Sequence, residues 1–268
     1  CLPAQNQNKT ISTETMNESL SLRKPKCILF DLDGTLADSA PDLAAAINFV
    51  RNERGLPAVP YEQLRPVASA GAPGLVNAAF HLTPENEQYH SIRERFLFHY
   101  ATNIANKTSL FPGIPELLEQ LRHLKIGWGI VTNKASRLTL PLIEKIGLND
   151  ADCIISGDTA PRPKPYPDPL LEATKRLRIR PEECWFVGDD LRDIQAGKAA
   201  GTGTIAAQWG YCTRPHDWNA DYYYGSVYTR YNGKASDCIG CGKCEKACPQ
   251  HLEIRQLLKK AAEVFEKQ

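Results

Sequence analysis

Phe30-Asp31-Leu32-Asp33-Gly34-Thr35-Leu36 follows directly on the apolar stretch Cys27–Phe30. A short apolar run bounded by a turn signal reads as a buried strand. In a parallel sheet, reactive groups collect at the carboxyl ends of the strands, which is where Asp31 would stand. Asp33 can face the same site once the chain leaves the strand, and Gly34 permits the sharp turn that this requires. A carboxylate pair with one nucleophile and one acid/base suits phosphoryl transfer through an aspartyl-phosphate. Two anions beside an anionic phosphate repel it, so the chemistry demands a cation. Magnesium, a hard ion with oxygen ligands, is the expected one.

Further along, Gly127–Val131, Asp152–Ser156, Cys184–Val187 and Gly203–Ala207 have the same apolar, β-branched character. Amphipathic stretches separate them, including Pro115–Leu124, Ser136–Ile146 and Pro169–Leu177. Strands alternating with helices predict an α/β fold around a doubly wound, Rossmann-like parallel sheet. Between Asp38 and Phe111 only helical periodicity is visible, with stripes in Pro41–Arg54 and Glu85–Tyr100. An all-helical insert after the first strand is a cap by position. The expected division is a core of residues 26–38 and 111–224, a cap of residues 39–110 and a separate tail of residues 225–268.

The later strand ends carry the other groups the reaction needs. In Val131-Thr132-Asn133-Lys134, the Thr132 hydroxyl can hold a phosphoryl oxygen, with Asn133 beside it as a second binding group. Lys164, in Arg162-Pro163-Lys164-Pro165, offers a fixed ammonium against charge developing in the transition state. Val187-Gly188-Asp189-Asp190-Leu191-Arg192-Asp193 supplies further carboxylates for the metal. In the cap, Ser69-Ala70-Gly71-Ala72-Pro73-Gly74 interrupts the helical pattern, with Arg65 just upstream. Gly71 would bring its backbone close to a ligand there, or the segment is a plain helix–helix connection. His81, His90, His99 and His123 lie on helical stretches and read as solvated or packed side chains. A lone Asp-x-Asp-Gly is an ordinary turn, but four such segments in order after apolar strands are not.

These four segments resemble the motifs of the haloacid dehalogenase superfamily of phosphatases, in the family's order, over residues 26–224. The resemblance implies that Asp31 is the nucleophile, Asp33 the general acid/base, Thr132 the phosphate binder and Lys164 the motif III lysine. It also implies a magnesium site of the Asp31 carboxylate, the Asp33 backbone carbonyl and Asp189. Asp190 stands where relatives often have Ser or Thr, which leaves open whether Asp190 or Asp193 joins the metal. The stretches Asp31–Asp42, Ser69–Val76, Pro163–Leu170 and Asp189–Gly201 are similar to the phosphoglycolate phosphatase branch, which implies 2-phosphoglycolate as substrate. Val187–Ile194 and Ile126–Lys134 resemble equally the branch acting on N-acetylmuramic acid 6-phosphate, which is the alternative.

Cys238-Ile239-Gly240-Cys241-Gly242-Lys243-Cys244 runs on to Cys248-Pro249, the spacing that ligates a [4Fe-4S] cluster in bacterial ferredoxins. Four thiolates also suit zinc, but the close triple spacing and the following proline favour iron. The fourth cysteine of such a run usually serves a second cluster, and a single run is present. Cys212 is the one further candidate ligand, without spacing support. From about Tyr228 to Gln268 the chain resembles the ferredoxin-like C-terminus of certain bacterial aldo/keto reductases. The chain thus reads as two unrelated pieces joined near Gly225–Tyr231. An iron–sulfur electron-transfer or binding module is the competing function, with the acidic constellation arguing for the enzyme.

Composition sets the outer bounds. Of 268 residues, 42% are hydrophobic and 24% charged, as in an ordinary soluble protein. A net charge of +1 gives no reason to expect nucleic acid or an anionic membrane as partner. No apolar run approaches the roughly 20 residues that span a bilayer. The partner expected is a small phosphorylated metabolite. Cys27, Cys153 and Cys184 sit in apolar runs, which argues for buried thiols in a reducing, cytoplasmic compartment. Residues 1–25 are polar and lack periodicity, so a disordered leader is expected. Cys1 is read as upstream sequence with Met16 as the natural start, or as a lipidated residue.

Overall fold

The computed structural model describes residues 24–211 and, beyond them, only residues 236, 255, 256, 258, 259 and 263. The leader, Cys212, the cysteine cluster and the junction between the two pieces lie outside the described residues, as does most of the closing helical stripe.

A five-stranded sheet is built from β1 (Cys27–Phe30), β4 (Gly127–Val131), β5 (Cys153–Ile155), β6 (Cys184–Gly188) and β7 (Gly203–Ala206). Its order is β5-β4-β1-β6-β7, with every pair parallel. β1 is central because it is buried on both faces, as an all-apolar four-residue strand must be. Alternation then sends successive side chains to opposite cores. Cys27 and Leu29 face a core completed by Leu170, Ala173, Phe186 and Ala196, from α7 (Asp168–Leu177), β6 and α8 (Leu191–Ala200). Ile28 and Phe30 face the other, with Leu118, Leu121, Leu138 and Leu142 from α5 (Ile114–His123) and α6 (Ser136–Lys145). Each fully buried Leu or Phe contributes roughly 1.5–3 kcal/mol by removal from water.

The chain leaves the sheet after β1 through β2 (Ala37–Asp38) and returns through β3 (Ser109–Leu110), which pair antiparallel. The sequence reading missed both β2 and β3, because a two-residue strand shows no period. Between these strands lie α1 (Ala40–Glu53), α2 (Tyr61–Leu64), α3 (Gly71–Phe80) and α4 (Tyr89–Thr102). Ile47, Val50, Leu75, Ile92 and Phe96 pack these helices together, and their cluster is continuous with one face of the sheet. The two exits are pinned by Asp42 in the first turn of α1. Its carboxylate accepts from the Lys107 N–H at 2.9 Å, and from the Thr108 N–H and hydroxyl at 2.8 and 2.7 Å.

Of the two readings of Ser69–Gly74, the helix–helix connection holds: a 3-10 helix over Arg65–Ala70 runs straight into α3, and Gly74 is helical. Gly71 at the junction has φ +63°, so the chain turns without breaking the helical packing. The second cap helix starts at Tyr89, not Glu85, because the Asn86 side chain accepts from the Gln88 N–H at 2.9 Å and holds a turn.

Candidate active site

Asp31 is the first residue past β1, and its N–H still donates to Val187 O at 2.9 Å beside β6. That bond fixes the backbone and leaves the side chain at the sheet's carboxyl edge. Lys164 Nζ lies 2.8 Å from Asp31 Oδ1, 2.7 Å from Asp193 Oδ1 and 3.0 Å from the Val131 carbonyl it donates to. All three ammonium protons are thereby used. Burial works to strip the Lys164 proton, but the charges of Asp193 and Asp31 outweigh it and hold the ammonium above its ordinary range. The lysine's backbone is clamped in turn by Asn133, which accepts from the Lys164 N–H and donates to its carbonyl.

Asp189 directly follows β6 and is held from three directions. Its carboxylate accepts from the Thr35 hydroxyl at 3.2 Å, the Ser69 hydroxyl at 3.2 Å and the Tyr211 N–H at 2.8 Å. Burial, and then the charge of Asp31, push the Asp189 carboxyl up to about 6. Asp190 turns away from this group. It caps α8 by accepting from the Arg192 N–H, and the Arg192 fork grips both its oxygens at 2.8 Å. Burial opposes the Asp190 charge, but that grip still lowers its pKa. The side chain that joins Asp31 and Asp189 is Asp193, one helical turn later. One oxygen from each of the three lies within 4.8 Å of the others. Burial and the neighbouring Asp31 charge drive the Asp193 carboxyl upward despite Lys164.

Three buried carboxylates against one ammonium leave an excess of negative charge that the fold itself does not neutralise. Hard oxygen donors so placed fit a magnesium ion. Asp33 stands apart from them: its carboxylate accepts from Lys134 Nζ at 2.9 Å and from the Ser39 hydroxyl. Burial opposes the Lys134 charge, but Asp33 more than compensates and raises its pKa. The ammonium also lies 4.8 Å from the centre of the Tyr100 ring.

A cavity of about 250 Å³ opens between the sheet edge and the helical insert. Asp31, Asp33, Thr132, Asn133 and Lys164 line it from the sheet side, and Gly71 and Phe96 from the helices. Thr132 is buried, and its hydroxyl accepts from the Lys134 N–H at 3.2 Å. Of these residues, sequence reasoning named all but Phe96 as site residues. Three refinements come from the fold. Arg65 is committed to Asp38 at 2.7 Å and lies over the Tyr211 ring, so it does not line the cavity. Asn133 uses both ends of its amide on Lys164. Lys134, Ser69 and Tyr100 were not singled out, since nothing in their local sequence marks them; each is brought in by packing.

Residues 28–207 match the haloacid dehalogenase-like hydrolase family model. Residues 206–253 match a 4Fe-4S dicluster domain, in line with the cysteine spacing. The chain is 41% identical over 200 residues to N-acetylmuramic acid 6-phosphate phosphatase of Pseudomonas putida, covering 73% of this chain and 90% of the relative. It is 40% identical over 205 residues to phosphoglycolate phosphatase of Xanthomonas campestris pv. campestris, covering 75% and 92%. Among solved structures, a predicted phosphoglycolate phosphatase from Haemophilus somnus superposes with a TM-score of 0.64 at 29% identity, covering 70% and 88%. Sequence and sheet topology agree, and the chain belongs to the haloacid dehalogenase-like hydrolase family.

Proposed function

We propose that this protein is a magnesium-dependent phosphate monoester hydrolase that works through an aspartyl-phosphate on Asp31, with 2-phosphoglycolate as its first substrate. The observation that carries the reading is the meeting of Asp31, Lys164 and the carboxylates of Asp189 and Asp193, with Asp31, Lys164 and Asp193 lining one cavity. An Asp31 oxygen attacks phosphorus as the ester P–O bond breaks. Asp33 is the general acid that gives a proton to the leaving oxygen. It then takes a proton from the water that attacks the aspartyl-phosphate, which releases inorganic phosphate and restores Asp31. Lys134 beside Asp33 Oδ1 aims that carboxyl. Thr132 donates to a phosphoryl oxygen and Lys164 offsets its negative charge. Asp31, Asp189 and Asp193, with the Asp33 carbonyl, would hold magnesium, which would supply the charge neutralisation an anionic nucleophile needs to approach a phosphate.

N-acetylmuramic acid 6-phosphate is the second reading, and the cavity favours it on one point. Its 250 Å³ extends along α4 past Phe96 to Arg93, farther than a two-carbon acid fills. The division into core, cap, leader and tail given above is part of this proposal. In the tail, Cys238, Cys241, Cys244 and Cys248 would hold an iron–sulfur cluster; the donor set of four thiolates fits one. Reduced, buried Cys27, Cys153 and Cys184 support a cytoplasmic setting. Among the described residues, no helix is long and apolar enough to cross a membrane.

The test is phosphate release from p-nitrophenyl phosphate with and without magnesium, followed by turnover on the two acids. Asp31→Asn should lower release more than about 10³-fold with the fold intact by circular dichroism. Substantial activity in that variant would sink the nucleophile assignment. Iron analysis and a visible spectrum of anaerobically purified protein check the tail; stoichiometric zinc without iron would remove the cluster.

A further inference from the structure

The two donors that hold the Asp33 side chain share one of its oxygens. Lys134 Nζ and the Ser39 hydroxyl both reach Oδ1, and Oδ2 takes no donor among the described residues. The carboxyl is tied at one end, while the residue as a whole lines the cavity. A general acid needs this arrangement, because the oxygen that carries the mobile proton must not be spent on the protein.

Neither donor comes from the strand that leads to Asp33. Ser39 stands directly before α1, where the chain enters the helical insert. Lys134 follows β4, and its side chain is 8% exposed. An ammonium on a flexible four-carbon stem is not fixed by one ion pair alone. Tyr100 of α4 confines it from the other side. The ring centre lies 4.8 Å from Lys134 Nζ, within reach of cation–π attraction, and the phenol hydroxyl is a further partner of the ammonium. Tyr100 is itself 1% exposed and stacks on Phe96 one helical turn back, with ring centres 6.4 Å apart. Its position is therefore that of α4. Asp33, Lys134 and Tyr100 form a chain of contacts from the sheet edge into the insert.

We propose that Lys134 and Tyr100 are positioning residues for protonation of the leaving group. Tyr100 fixes the Lys134 ammonium, Lys134 fixes Asp33 Oδ1, and Oδ2 is left to carry the proton to the ester oxygen. As the P–O bond breaks, its electron pair stays on that oxygen and takes the Oδ2 proton. The alcohol leaves neutral and Asp33 is left as a carboxylate. The helical insert thus takes part in the chemistry as well as enclosing the substrate. The inference rests on the phosphatase reading, with Asp33 as its acid.

The experiment compares esters whose alcohols differ in acidity: p-nitrophenyl phosphate, phenyl phosphate and 2-phosphoglycolate, each with magnesium. Nitrophenolate leaves without a proton, whereas the alkoxide of glycolate does not. In Lys134→Met, kcat/KM should fall about 10–100-fold more on 2-phosphoglycolate than on p-nitrophenyl phosphate, with phenyl phosphate between. Tyr100→Leu should give the same pattern at about 3–10-fold, and Tyr100→Phe, which keeps the ring, should recover most of it. Placed on Asp33→Asn, the Lys134→Met change should add little to the difference between esters, because Lys134 acts through Asp33. Equal falls on all three esters in both Lys134→Met and Tyr100→Leu overturn the proposal, as does a full further loss in the Asp33→Asn background. Should circular dichroism show Lys134→Met unfolded, the two Tyr100 variants decide. The phosphatase reading is tested separately by the unsubstituted chain on p-nitrophenyl phosphate. If that ester is hydrolysed and the dependence on the alcohol is the same in every variant, only the positioning role fails.

Discussion

Asn133 and Lys164 exchange two hydrogen bonds: the Lys164 N–H donates to Asn133 Oδ1 and Asn133 Nδ2 donates to the Lys164 carbonyl, each at 2.9 Å. The residue after Thr132 therefore holds the backbone of the ammonium that meets Asp31, across 31 positions of sequence. A side chain placed so firmly can offset phosphoryl charge without reorganising during the reaction.

Asn133→Leu removes both bonds and leaves two backbone groups of Lys164 without partners. We expect a loss of about 1–3 kcal/mol in unfolding free energy and a fall of about 10–100-fold in kcat. Denaturant melts and steady-state kinetics check both. Asn133→Asp keeps the acceptor and loses the donor, so it should fall between the two.

Gly34 has φ +89°, and a Cβ there would sit 2.5 Å from Asp189 Oδ2. Gly34→Ala must strain the turn and displace Asp189 at once. Magnesium affinity should drop about 10–100-fold, read from the magnesium dependence of turnover. Unchanged affinity would mean that Asp189 does not hold the ion.

Chelation should act on stability as well as activity. Without a cation, three buried carboxylates repel across less than 4.8 Å. Magnesium at 100 times its dissociation constant should stabilise the fold by about 2.7 kcal/mol. Thermal melts with EDTA and with excess magnesium measure the difference, and Asp193→Asn should shrink it. An equal shift in that variant would exclude Asp193 from the ion's shell.

Tyr211 joins the sheet to the helical insert. Its hydroxyl accepts from the Ala40 N–H at 3.0 Å and is 2.9 Å from Asp38 Oδ1, while its own N–H donates to Asp189. Tyr211→Phe leaves the buried Ala40 N–H unsatisfied and should cost about 1–2 kcal/mol. The Asp189 contact is through the backbone, so turnover should fall far less than stability does.

Ser69→Ala removes the hydroxyl that reaches from the insert to Asp189 at 3.2 Å. We expect KM for magnesium to rise about 2–10-fold with little change in stability, because Thr35 and Tyr211 still hold the same carboxylate.

Much of this was legible in the chain itself. Short apolar runs alternating with amphipathic stretches determined a parallel α/β sheet, because a strand buried on both faces must be apolar throughout. Asp31, Asp33, Thr132 and Asp189 could be named because each directly follows or lies near a strand end, where local sequence dictates position, and Lys164 from its place in Arg162-Pro163-Lys164-Pro165. The spacing of Cys238, Cys241, Cys244 and Cys248 was likewise a local signal. What tertiary structure alone decided is which of those groups touch. Asp193 rather than Asp190 faces Asp31, because the first turn of α8 rotates one carboxylate into the site and gives the other to Arg192. Contacts between residues far apart in sequence depend on how helices dock, and no local pattern carries that information.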